Sequence, residues 1–519
     1  MRLGIDVGGT NTDAVLVSGR TVLASAKRPT TTDVSGGIVN ATRAVLDAAG
    51  VRAAAIDGVM IGTTHFVNAL VERKGLLEVG VLRLAGASGE ALPPMSGWPD
   101  DLKRCIGDLG FQLPGGYEFN GEENTPFDED AVRNAARRVR RAGLQTVAIS
   151  CVFAPINGSM ERRAAALVRE VAPEISVTVS SALGRIGFLE RENATILNAA
   201  LSRMARYVMT SFSAAFAEMG ISAPLYVSQN DGTLISAQYA AQYPVLTLGS
   251  GPTNSMRGAA FLTGIQDAIV MDIGGTTTDI GALVNGFPRE SSIAVNIGGV
   301  RTNFRMPDIL SIGLGGGTRI HLGGDGGLRE IGPDSVGYRL AQEAYLFGGS
   351  TLTASDIAVQ AGHASFGNVA NVPELQPGVA AEILARFGRT LEDGIDRMKT
   401  TAADMPVVLV GGGSILVPPQ LQGASQVIRP DHSSVANAVG AAIAQVGAEV
   451  DRIVAYDRHS RAEALAGIER EARRQAVEAG AVADTVRLVD VEETFLSYLP
   501  GNTVQIRAKV VGDLAVAAA

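Results

Sequence analysis

Residues 3–17 read LGIDVGGTNTDAVLV and residues 268–284 read AIVMDIGGTTTDIGALV. Set on each other from Asp6 and Asp272, the loops DVGGTNTD and DIGGTTTD differ only at Val7/Ile273 and Asn11/Thr277. In each copy an apolar run ends in an aspartate, a Gly-Gly-Thr turn follows, and a second aspartate opens another apolar run. Each predicts a strand, a tight turn and a returning strand. One such turn alone reads equally well as an ordinary Gly-rich hairpin. Two copies far apart predict related lobes, each bringing a loop to a shared ligand. Glycines at a strand end let backbone N–H groups approach an anion, and threonine hydroxyls add donors. Gly8, Gly9, Thr10, Asn11 and Thr12, with Gly274, Gly275, Thr276, Thr277 and Thr278, are therefore candidate phosphate-binding residues. Asp6 and Asp272 are candidates to hold a hydrated Mg²⁺ against phosphate oxygens, with Asp13 facing Asp6 across the first turn. Asp272 is the foremost candidate for the catalytic role of orienting a water on that ion; Asp279 and Asp6 are the alternatives.

A third loop, residues 407–415 (VVLVGGGSI), follows another strand-like run and offers Gly411, Gly412, Gly413 and Ser414. Two phosphate-type hairpins and a late Gly-rich loop resemble the superfamily of actin, sugar kinases and Hsp70. The resemblance implies ATP, its phosphates on the first two loops and its adenosine on the third. It also implies an α/β fold of two actin-like lobes (a duplicated ribonuclease H-like unit) around a central nucleotide cleft.

A narrower resemblance follows from residues 62–76, GTTHFVNALVERKGL, which are similar to the A-type subunits of the hydantoinase/oxoprolinase family. Residues 186–199 (IGFLERENATILNA), 226–234 (YVSQNDGTL), 248–260 (LGSGPTNSMRGAA), 311–318 (SIGLGGGT) and 332–337 (GPDSVG) agree in order and spacing. The family resemblance implies ATP-dependent opening of a cyclic amide such as 5-oxoproline or a hydantoin, with related members using the same activation in ketone carboxylation. It also implies a separate B-type partner chain. The chain departs from the family at residues 338–349, YRLAQEAYLFGG, where a Pro-Gly-Pro-Ala-Cys-Tyr-Gly run is usual, and at His65, where an apolar residue is common. Thr63, Thr64 and His65 are candidate substrate-side residues at a helix N-terminus, an anion-attracting place; ordinary helix capping is the alternative. Asn230 and Asp231 form a candidate donor and acceptor set facing substrate, or a plain polar turn.

A chain of 519 residues supports several domains. The boundaries expected are 1–184 for a first lobe, 185–455 for a second, and 456–519 for a small α+β tail. Residues 88–130, rich in Gly, Pro and acidic groups, read as a protruding insertion that contacts substrate or partner, or as a surface excursion. Residues 297–328 are dense in glycine, and Gly313, Gly315, Gly316 and Gly317 would let the backbone pass close to a ligand; Asp308 is a candidate acid or base there, or a cap. The net charge of -9 speaks against a nucleic-acid partner. Two cysteines, Cys105 and Cys151, and histidines without metal-pair spacing (His65, His321, His363, His432, His459) speak against a zinc centre and a disulfide framework. A strand beginning near Leu3 leaves no room for a signal peptide, and no apolar run is long enough for a bilayer, so a cytoplasmic protein is expected. The rival functions are a small-molecule kinase that stops at the phosphorylated product and an ATP-driven activator of another protein. A homo-oligomer is compatible with each.

Overall fold

The computed structural model describes residues 1–515 other than 10, 32, 34, 184, 185, 292, 293, 304, 305, 458, 459, 498 and 500. Thr10, Arg305, His459 and the boundary at 184 therefore lie outside the described residues. The first hairpin pairs Arg2–Val7 antiparallel with Asn11–Ser18, placing Asp6 opposite Asp13. Gly58–Thr63 runs parallel to Arg2–Val7 on the other side. The second hairpin repeats this plan: Ala268–Ile273 pairs antiparallel with Thr278–Val284, placing Asp272 opposite Asp279, and Met405–Val410 runs parallel to Ala268–Ile273. These strands are apolar almost throughout because both sheet faces are covered. The expected two-lobe, actin-like α/β architecture is present, and the duplication extends from the loop letters to the strand pairing.

The sheets divide the chain along other lines than cuts at 184 and 455. The first-lobe sheet has nine strands in the order Arg487–Phe495, Thr503–Gly512, Gln445–Ala455, Thr233–Ser236, Leu225–Ser228, Gly58–Thr63, Arg2–Val7, Asn11–Ser18, Thr21–Pro29. Strands from the expected second lobe and tail thus complete the first. The physical reason lies in the tail's apolar face. Val504, Ile506 and Val510 share one core with Ile468 and Ala472 of helix Arg461–Glu478 and with Met60, Leu234 and Val446 of the neighbouring strands of the sheet. A two-stranded piece could not bury that face alone.

Residues 88–130 are also more docked than expected. Gly110–Leu113 is the edge of a four-stranded parallel sheet completed by Val79–Leu84, Thr146–Cys151 and Ser176–Val179. Leu102 and Ile106 of helix Asp100–Ile106 are buried in the main core, and the Trp98 Nε1–H donates to Asn193 Oδ1 at 2.9 Å.

The lobes meet where helix Ser250–Thr263 crosses helix Ala436–Ala442, which also lies on Arg2–Val7. The crossing is backbone on backbone. A Cβ on Gly258 would stand 1.9 Å from the Ala436 carbonyl oxygen, and one on Gly440 would stand 1.9 Å from that of Asn254. Gly440→Ala is accordingly expected to cost about 3 kcal/mol, the upper end for overpacking, because a backbone atom cannot rotate away. The control is Gly467→Ala on helix Arg461–Glu478, where the nearest atom is 3.9 Å away. That change should stabilise by up to about 1 kcal/mol through helix propensity. Urea unfolding of both variants checks the contrast; equal midpoints would refute it.

No helix among the described residues is long and apolar enough to cross a membrane.

Candidate functional site

The three loops converge. A cleft of about 390 Å³ is lined by Asn11 and Asp13 of the first hairpin, Asp272, Gly274 and Gly275 of the second, and Gly411, Gly412 and Gly413 of the third. Both hairpin turns close alike: the Gly8 N–H donates to the Asn11 carbonyl at 3.0 Å, and the Gly274 N–H to that of Thr277 at 2.9 Å. Around Gly9, Gly275 and Gly412, among the described residues and apart from each glycine's chain neighbours, no atom lies within 4 Å of where a Cβ would stand, so the loop tips are open to a ligand. Gly411, at φ 81°, is fixed by its neighbours, since a Cβ there would fall 2.4 Å from Asp272 Oδ1.

The Gly-rich stretch after residue 312 serves the second hairpin first. The Gly316 N–H donates to the Gly274 carbonyl at 3.0 Å and the Gly317 N–H to that of Gly275 at 2.6 Å. Gly315 touches the turn so closely that a Cβ would meet three backbone atoms at 2.7 Å. Gly316 also lines the cleft. Thr12 and Thr278 differ from expectation: both are buried, with the Thr12 hydroxyl against Thr30 Oγ1 (3.2 Å) and the Thr278 hydroxyl donating to the Leu314 carbonyl (2.6 Å). Thr276 and Thr277 are exposed at the tip beside Gly275, and Ser414 is half-buried behind Gly413. Asp308 forms an ion pair with Arg289 at 2.6 Å, a structural role.

Negative charge is concentrated here. Asp6 Oδ2 accepts from Asn437 Nδ2 at 2.7 Å, while its buried Oδ1 has no hydrogen-bond partner among the described residues. Burial, with Asp13 and Asp272 nearby, pushes the Asp6 carboxyl up to about 7. Burial also raises Asp13, although Lys27 Nζ stands 2.6 Å from its Oδ1. Burial raises Asp272, whose Oδ2 accepts from the Ser255 hydroxyl, and Asp279, whose Oδ1 accepts from the Ser311 hydroxyl at 2.5 Å. Several carboxylates with one nearby lysine and an orphaned oxygen suit a hard divalent cation, and Mg²⁺ is commonly held by one or two carboxylates with waters. Among the described residues no group of three His, Cys, Asp or Glu is arranged to hold a metal.

A pH effect follows. The Asp6 carboxyl is raised in the folded chain, so the folded state binds its proton more tightly than the unfolded state. Its contribution is therefore greatest below the ordinary carboxylate range and is lost as pH rises towards about 7. Without divalent metal, Asp6→Asn is expected to unfold at higher temperature than wild type at pH 8. The gap should close towards pH 4, at no more than about 1.4 kcal/mol per pH unit. A gap independent of pH would refute it.

The remaining expected residues lie apart. Thr63 and His65 pair through Oγ1 and Nδ1 at 2.6 Å; the His65 ring meets Phe212 edge-on, and burial lowers its pKa. The Thr64 N–H donates to the Val7 carbonyl at 3.2 Å, which ties this helix start to the first hairpin. Asn230 and Asp231 line a second cavity of about 990 Å³. Asn230 Oδ1 accepts from the Gly249 N–H at 2.7 Å, and Asp231 pairs with Lys509 at 2.9 Å, as suits a polar turn. Sequence reasoning passed over Lys27, Ser255 and Asn437. Lys27 carries no motif, but it stands opposite Asp13 in the strand register.

Residues 2–172 match the family model for the hydantoinase/oxoprolinase N-terminal region, and residues 191–374 match the one for hydantoinase/oxoprolinase. The chain is 31% identical to the caprolactamase subunit alpha of Pseudomonas jessenii, over 70% of this chain and 55% of that one. It is 28% identical to the acetone carboxylase beta subunit of Xanthobacter autotrophicus, over 70% and 54%. It spans about half the length of the relatives it matches. Its fold is similar to a crystal structure of the ATP-dependent caprolactamase from Pseudomonas jessenii, with a TM-score of 0.77 and 21% identity over 99% of this chain and 87% of that one. A nucleotide-free acetone carboxylase structure gives 0.70 and 19%, over 99% and 88%.

Proposed function

Because this chain belongs to the hydantoinase/oxoprolinase family, we propose that it is the ATP-using subunit of a cytoplasmic enzyme that activates a cyclic amide for ring opening. The substrate is a hydantoin, 5-oxoproline or a related lactam, and a B-type chain is the partner. The observation that carries this reading is the convergence of two like-built hairpins and the Gly411–Gly413 loop on one acidic cleft. The names of the relatives, an ATP-dependent caprolactamase and subunits of larger enzymes, support it.

An amide carbonyl is a poor electrophile with a poor leaving group. Transfer of the γ-phosphoryl group to the amide oxygen, with ADP leaving, makes the carbon electrophilic; water adds there, the C–N bond breaks as the ring nitrogen takes up a proton and leaves as the amine, and a second water hydrolyses the resulting acyl phosphate to carboxylate and phosphate. Hairpin-tip N–H groups and Lys27 would hold the phosphates, and Asp6 and Asp272 would hold Mg²⁺, which when bound neutralises developing charge. Asn437 and Ser255 orient those carboxylates.

The test is ATP turnover by the purified chain across hydantoins, 5-oxoproline and simple lactams, with and without the product of the neighbouring gene. Lactam-dependent release of ADP and phosphate is expected. A stable phosphorylated product would instead establish a kinase, and turnover dependent only on a protein would establish an activator. Calorimetry finding no Mg-nucleotide binding by folded protein would overturn all three.

A further inference from the structure

The cleft is polar or glycine-lined except at Leu340, Phe366, Ile415 and the small Ala436. Phe366 is 37% exposed, and its ring stacks on that of Phe347, itself 42% exposed, at 6.2 Å between centroids and 22° between planes. Two phenylalanines left open to water at a cleft mouth mark a surface made to be covered. Phe347 and Leu340 belong to residues 338–349, where the chain departs from its family's usual run.

The pair is held firmly. Leu346, beside Phe347, is buried in the second-lobe core, and its N–H donates to Asp356 Oδ1 at 2.8 Å. The Asn368 N–H donates back to the Leu346 carbonyl at 2.8 Å, strapping the Phe366 loop to the Phe347 turn. Ser355, next to Asp356, donates through Oγ to the Gly316 carbonyl at 2.8 Å, and Gly316 is bonded to the second hairpin. The aromatic pair is therefore fixed in relation to the loop tips. Ile415 reaches the cleft from the turn Gly412–Leu416, directly after the third glycine loop.

Resting on the nucleotide reading above, we propose that Phe366, backed by Phe347 and joined by Leu340 and Ile415, is the wall against which the nucleobase stacks. A ligand with phosphates at the hairpin tips needs an apolar slot for its base, and this cleft offers one such wall. Phe366 is then a residue that determines whether the chain holds a nucleotide or only its phosphates.

The test uses the full chain and calorimetry with two probes, Mg-ATP and Mg-tripolyphosphate, which lacks a base. Phe366→Ala should weaken Mg-ATP by about 10- to 100-fold, the usual loss when a stacking aromatic is removed, and leave tripolyphosphate unchanged. Phe366→Trp should retain ATP binding and change its fluorescence with ATP but not with tripolyphosphate. Unchanged ATP binding by Phe366→Ala, or equal loss of both probes, would overturn the proposal. Wild type binding ATP no better than tripolyphosphate would overturn the base wall while leaving the phosphate site standing. Wild type binding neither would remove the nucleotide reading itself.

Discussion

Asp272→Asn is expected to fold as wild type does and to lose ATP turnover by roughly 10²–10³-fold. Asp272 ends the strand before the second hairpin and lines the cleft, held by the Ser255 hydroxyl and packed against Gly411. An amide keeps the shape and can still accept from Ser255, so packing survives. Burial raises the Asp272 carboxyl, so removing its charge also removes a desolvation cost, and thermal stability should hold or rise slightly. What disappears is a negative charge aimed at the place where a cation and phosphate oxygens would meet. Asp279, bonded to Ser311, is not part of the cleft wall, so Asp279→Asn should have the smaller effect. The comparison is melting temperature beside steady-state ATPase for Asp6→Asn, Asp272→Asn and Asp279→Asn. Near wild-type turnover by Asp272→Asn would refute the assignment. The fold would stand, because it rests on the paired hairpins.

The hairpins were legible because everything that makes them is local: apolar run, aspartate, glycine turn, aspartate. Their hydroxyl directions were not. Successive side chains on a strand face opposite ways. With Asp13 turned to the cleft, Thr12 must point into the core, where it meets Thr30. A reading that takes a loop as a block of donors overlooks this alternation. The nine-stranded sheet was hidden for another reason. It joins strands separated by hundreds of residues, and a strand's own pattern says only that one face is apolar, not which neighbour covers it. The tail strand Thr503–Gly512 showed its alternation plainly, yet its partner Gln445–Ala455 lay within a segment that read as second lobe. Lys27 and Asn437 reach the site only through pairing and helix crossing, so no local pattern announced them.

Residues 186–199 drew notice as a family-like run, and the structure gives that run a mechanical role. Arg83 and Glu192, each with 1% of its side chain exposed, form an ion pair between strand Val79–Leu84 and helix Phe188–Glu218. The Ser150 hydroxyl donates to Glu192 Oε1 at 2.6 Å, and Arg83 Nη1 donates to the Gly89 carbonyl at 2.9 Å. Beside them, Arg191 donates to the Cys151 carbonyl at 2.6 Å and to Ser180 Oγ at 2.9 Å, and Glu161 accepts from the Ser180 hydroxyl at 2.5 Å. These groups fasten the four-stranded sheet to the first-lobe helix. Glu192→Ala would leave Arg83 charged and uncompensated in the interior, and about 3–5 kcal/mol of stability should be lost. Replacing both partners, Arg83→Met with Glu192→Leu, removes the stranded charge and should recover most of that loss, since apolar substitutes for a buried pair are often neutral. Urea unfolding of the single and double variants measures the difference, and limited proteolysis of Glu192→Ala should cut first within residues 79–179. A single-variant loss below about 1 kcal/mol, the range of exposed pairs, would mean that water reaches Arg83 and that the network does not fasten the sheet.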